Sequence, residues 1–294
     1  MRGARWAPGG RPLAGLAVAV LFGLALAGLA DSVGDGPGEL ATASLAAPDL
    51  GPGSGNRAFL PLIRRDPVAT PCPSIPGASY GAISVSSTYG ATTNAESHPD
   101  INLAVRGWQV NSTAPKVLVD YGNAGSDPNA PQLAGLFASN RRPVFTTLYQ
   151  VYDWNWTTNQ RGGLLTKWPV TLAGLASTPG EQVRVPSAGY SIGLSIMDGY
   201  QVLVLYATPE RITLKYTRED NVVAGYTLHV ENVCVDPSLV SLYQSLNTAG
   251  RNPLPALNAG QAFGTARGGE LAVAIRDTGE FMDPRSRLDW WHGW

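Results

Sequence analysis

The chain has 294 residues with 21 basic and 22 acidic side chains, a formal charge of −1. That balance provides no long-range field for nucleic acid or for an anionic membrane. Charged residues make up only 15 %, against 34 glycines and 23 prolines, a composition suited to an exported β-rich protein rather than a helical cytosolic one.

In chain order, residues 1–30 read as a secretory signal peptide. Arg2, Arg5 and Arg11 form a basic start, residues 13–29 are apolar, and small residues near Ala27 and Ala30 suit cleavage. The apolar run is also long enough for an uncleaved N-terminal anchor. No cysteine follows it, which argues against a lipoprotein. Residues 31–57 are rich in Gly, Pro and Ala with few large apolar side chains, so they form a flexible linker. Phe59 opens the remainder, divided here into an N-terminal β region at 58–165 and a C-terminal β domain at 166–294. Cys72 and Cys234 are an even pair in an exported chain and are expected to form a disulfide, the alternative being two separate thiols.

Period-two apolar runs predict strands at 82–85, 101–105, 116–119, 144–152, 202–206, 212–216, 226–230 and 271–275. The polar stretch 218–221 reads as the turn of a hairpin. Helices are few and short. Asp236 and Pro237 open one that Gly250 closes, and a weaker one starts near Asn129. The fold class is therefore mainly β.

Several polar and aromatic clusters are candidate sites. His98 and Asp100 lie in Ser97–Leu103, which reads as an acid–base pair or, more simply, as a turn. The oxygen-rich loop 120–129 lacks the spacing of a calcium loop and reads as an Asx turn. Tyr149, Tyr152, Trp154, Trp156 and Trp168 form either an aromatic surface or core. Trp290, Trp291 and Trp294 form a Trp-rich tail that either covers a sheet end or stays exposed.

The segment 268–284 reads G-G-E-L-A-V-A-I-R-D-T-G-E-F-M-D-P, a strand, a turn and an Asp-Pro. It resembles the last core strand of the M23 (lysostaphin-type) zinc endopeptidases. Residues 179–189, 212–230 and 257–264 are similar, in the same order, to that family's P-x-G hairpin, central hairpin and A-G-Q-x-I-G turn. The resemblance covers about 168–288 and implies an M23-like β domain packed with the N-terminal β region. It places the family's zinc ligands at Val170, Gly174 and Ala272, and its catalytic histidine at Glu270. Zinc needs His, Cys or carboxylate donors at about 2.0–2.3 Å, and valine, glycine and alanine offer none. The three histidines of the chain are His98, His229 and His292. His229 shares a strand face with Thr227 and Glu231, a face expected to be polar and solvated.

The resemblance thus implies a scaffold without its chemistry. The expectation is an exported, cell-envelope or extracellular, non-catalytic module with no cofactor. It would bind peptidoglycan, another envelope polymer or a surface protein in a groove at Glu270, Ala272, Val170 and Gly174, with Trp154, Trp156 and Trp168 as an aromatic surface. The alternative is a cell-wall hydrolase using carboxylates such as Glu270 and Asp277, or another metal site. No nucleic-acid partner and no transmembrane segment beyond the leader are expected.

Overall fold

The computed structural model describes residues 71–86, 94–121, 126–193 and 199–294. The expected leader at 1–30 and linker at 31–57 lie outside them. The described residues belong to one compact unit, and among them no helix is long and apolar enough to cross a membrane.

The fold is mainly β with few helices. In chain order the strands are β1 Gly81–Ile83, β2 Trp108–Val110, β3 Phe145–Asn155, β4 Gln160–Leu164 and β5 Leu172–Ala176. They continue with β6 Gln182–Arg184, β7 Tyr200–Thr208, β8 Arg211–Lys215, β9 Tyr226–Glu231 and β10 Val233–Val235. The last are β11 Leu254–Asn258, β12 Ala262–Ala266, β13 Glu270–Asp277 and β14 Glu280–Phe281. Three short helices, α1 Leu103–Arg106, α2 Pro237–Thr248 and α3 Arg287–Trp290, accompany them.

Eleven strands form one antiparallel sheet, ordered β1-β11-β7-β8-β9-β13-β5-β3-β2, with β14 on β13 and β4 on β3. A second sheet has three strands, β10-β12-β6. Because β3 pairs with β5, the expected division at 165/166 is not a division of the sheet. The two segments share a single core.

That core is built by period two. On β9 and β13, Leu228, Val230, Leu271, Val273 and Ile275 point to one face and join the main apolar cluster. Ala272 and Ala274 point to the other, with Leu103, Val151, Leu172 and Phe281. The helix expected after Asp236 is α2: the Asp236 side chain accepts from Ser238 N at 2.8 Å, and Pro237 needs no donor partner at that position. Cys72 and Cys234 form the expected disulfide.

Three local readings change. Residues 101–105 form no strand but a turn leading into α1, because Asn102 caps Ala104 N and Gly107, at φ 68°, ends the helix one step after Arg106. Residues 116–119 form no strand; Val119 alone bridges Ser286 and Val117 is exposed. The helix expected near Asn129 is a single 3-10 turn, Leu133–Leu136. Strand β5, Leu-Ala-Gly-Leu-Ala, was hidden because its residues are buried on both faces and show no alternation. Two of the three C-terminal tryptophans cover rather than trail, and Trp294 is exposed. Trp290 and Trp291 are buried, and their indole N–H groups donate to Asp283 O at 2.9 Å and Pro284 O at 2.8 Å.

Candidate functional site

The face of the sheet away from the main core carries three polar rows. Arg211, Glu231, Ala272 and Gly174 stand directly opposite one another across β8, β9, β13 and β5. Thr213, His229 and Ala274 form the next row, and Lys215, Thr227 and Arg276 the third. Directly opposite residues on antiparallel strands share a face, so these side chains line up.

The second and third rows are roofed by the segment around α1. Thr213 Oγ1 donates to Ile101 O at 2.6 Å. Asp100 Oδ1 takes both Arg106 at 2.6 Å and Arg276 at 2.9 Å. Burial alone would raise the Asp100 carboxyl, but the two guanidinium groups hold it below the usual range. His98 serves the turn here, its Nδ1 accepting from Asp100 N at 3.2 Å.

His229 therefore departs from expectation. It does share a face with Thr227 and Glu231, but that face is covered and His229 is fully buried. Its Nδ1 lies 3.1 Å from Thr213 Oγ1 and its ring stacks on Phe281. Burial, reinforced by Arg276, pushes its pKa down to about 3, so the ring is neutral at ordinary pH. Its Nε2, together with Thr227 Oγ1 and Lys215 Nζ, has no hydrogen-bond partner among the described residues. Burial also lowers Lys215 to about 8.

The first row stays open. A groove of about 460 Å³ is walled by Trp108 and Tyr149, with Arg211, Glu231, Glu270 and Ala272 facing into it. At its rim Arg267 pairs with Glu210 at 2.8 Å. Glu270 is fixed from two sides: Tyr149 Oη donates to its Oε1 at 2.8 Å and Thr146 Oγ1 to its Oε2. Burial, then the Glu270 contact, raises the Tyr149 phenol. Gly174 lets Glu270 lie over β5, since a β carbon there would collide with the Glu270 carboxyl group.

Glu231 is only 5 % exposed. Its charged neighbour is Arg211, whose Nε stands 3.0 Å from Oε2 but is not aligned as a donor. Burial outweighs that attraction and raises Glu231 to about 7. The groove thus holds two carboxyl groups in different environments, one dry and one held by hydroxyl donors.

Of the sequence-derived groove residues, the sheet brings Glu270, Ala272 and Gly174 together. Val170 belongs to the main core instead. Val170, Gly174 and Ala272 offer no donor to zinc, so the residues present do not fit the metal the resemblance would imply. Among the described residues no group of three His, Cys, Asp or Glu side chains is placed to hold a metal ion. Glu270 and Asp277 close opposite ends of β13, about 23 Å apart at strand rise, and cannot act on one bond.

The aromatic trio does not form one surface. Trp156 is exposed beyond the end of β3 beside His98, whereas Trp168 packs edge-on against Tyr121 and Trp154 is half-buried on β3. The oxygen-rich loop is engaged elsewhere. Asp120 pairs with Arg287 at 2.8 Å, and Asp127 accepts from Asn129 N in an Asx turn and from the phenols of Tyr190 and Tyr226.

Trp108, Arg211 and Glu231 were not singled out by sequence. The available signal was the period-two link of Glu231 to His229, already visible in 226–231. Comparison of the chain with family models, with curated proteins and with solved structures finds no match.

Proposed function

We propose that the protein is an exported module of the cell envelope that binds an envelope polysaccharide, peptidoglycan first among them, in the groove at Glu231 and Glu270. The observation that carries this reading is the lining of the groove: two aromatic walls, Trp108 and Tyr149, beside the carboxyl groups of Glu231 and Glu270 and the guanidinium of Arg211. Sugar rings present apolar C–H faces that stack on aromatic rings and hydroxyl groups that donate to carboxylates. Muramic acid adds carboxylates and amides, which suit Arg211 and the opposing acceptors. The leader-like sequence at 1–30 supports export, as does the disulfide. The lysostaphin-type resemblance supports an envelope polymer as ligand, because two positions it assigns to zinc ligands, Gly174 and Ala272, are direct cross-strand neighbours. Zinc chemistry is not part of the proposal.

The test is co-sedimentation of the full chain with purified peptidoglycan. Wild type is expected to pellet with the polymer, and Trp108→Ala, which removes one wall of the groove, to lose most of that binding. Equal pelleting of both proteins, or none of the wild type, overturns the proposal.

A further inference from the structure

Two features of the groove exceed what binding requires. Glu231, nearly fully buried, faces the groove with the partly exposed Arg211 3.0 Å from its Oε2 as its charged neighbour. Burial outweighs that single pairing, so the carboxyl group is costly to keep charged and favours a proton. Glu270, by contrast, has both oxygens engaged by hydroxyl donors, so it is held as an acceptor and turned toward the same space. The floor between them is bare. Ala272 stands opposite Glu231 and Gly174 opposite Ala272, so a methyl group and a glycine separate the two acids.

We propose that Glu231 and Glu270 are the general acid and general base of a hydrolase that cleaves a glycosidic bond of the polysaccharide bound in the groove. This rests on the binding reading above and adds a reaction to it. Glu231 gives its proton to the glycosidic oxygen as the C1–O bond breaks, and the leaving sugar departs as a neutral alcohol. Glu270 takes a proton from a water molecule, whose oxygen forms the new bond to C1. One water is consumed, and the proton on Glu270 returns through solvent to Glu231. The dry site of Glu231 keeps the acid protonated up to about neutral pH, as this role needs.

The single displacement assigns the stereochemistry. Glu231 and Glu270 are a diagonal pair across β9 and β13, on one face of the sheet. Direct attack by water on C1 inverts the anomer, whereas a retaining enzyme passes through a covalent glycosyl intermediate. Tyr149 and Thr146 are positioning residues for Glu270.

The experiment incubates the full chain with purified peptidoglycan and follows both pelleting and new reducing ends. Wild type is expected to release reducing ends with the anomer inverted. Glu231→Gln and Glu270→Gln are expected to lose roughly 10²- to 10⁴-fold in release, a loss far larger than any change in their pelleting with the polymer. Both variants must unfold cooperatively in urea to count. Pelleting of wild type without release of reducing ends overturns the hydrolase and leaves the binding reading standing, whereas absence of pelleting overturns both. Unimpaired release by either variant, or retention of the anomer, overturns the roles given to the two glutamates.

Discussion

Replacing Glu231 with glutamine removes a charge that folding buries. In the unfolded chain the carboxyl ionises near its ordinary 4.5, and in the folded protein only near about 7. Below pH 4.5 both states hold the proton and the group makes no pH-dependent contribution. As the pH rises from 4.5 to 7 the unfolded state releases its proton first, so stability falls, and above 7 the loss is complete. At about 1.4 kcal/mol per pKa unit the full difference is about 3 kcal/mol. Glu231→Gln keeps the size and the acceptor oxygen without the charge. Arg211, with a quarter of its side chain exposed, remains solvated and is not stranded. The expected result is a variant equal to wild type at pH 4 and more stable by about 3 kcal/mol at pH 8, read from urea midpoints across that range. A variant destabilised above pH 5, or a difference independent of pH, would show that the Arg211 ion pair rather than burial governs Glu231. The acid role in the groove would then lose its physical basis.

Two further outcomes test the frame around the groove. Cys72→Ser with Cys234→Ser opens a bridge between residues 162 apart, and the chain-entropy relation gives about 5 kcal/mol for such a loop; a loss below about 1 kcal/mol in urea unfolding would mean that native contacts of the entry segment, not the bridge, set its stability. Asp100→Asn leaves the buried Arg106 and Arg276 without their shared carboxylate and is expected to cost about 3–5 kcal/mol in the same assay; a cost under about 1 kcal/mol would show that the roof over His229 does not depend on this ion pair.

The strands that alternate cleanly, β8, β9 and β13, are legible in the sequence because one of their faces meets a uniformly apolar core. Strand β5 is not legible, since both its faces are covered, and 101–105 mislead because their apolar residues serve a capped helical turn pressed onto the sheet. Glu270 and its small neighbours were found through the resemblance. Trp108 and Arg211 were not, because each reaches the groove through pairings, β2 on β3 and β8 on β9, that no single segment declares. His229 shows the limit most sharply. Alternation placed its face correctly, but whether a polar face meets water depends on what lies above it, and the roof comes from residues more than a hundred positions earlier.

That roof also explains where the open site falls. Arg276, Thr227 and Lys215 are closed over at one end of the face, and Thr213 binds Ile101 over the middle row. The row of Arg211, Glu231, Ala272 and Gly174 keeps a groove above it. Its neighbours are small where a pocket needs space and charged where it needs recognition. A sheet face intended only for packing would carry an apolar side chain at Glu231, because burying a carboxyl group there costs stability that a leucine would supply. The chain instead keeps two acids, a glycine that makes room for one of them and two hydroxyl donors that aim it. On the proposed reading, a ligand in the groove offsets those costs.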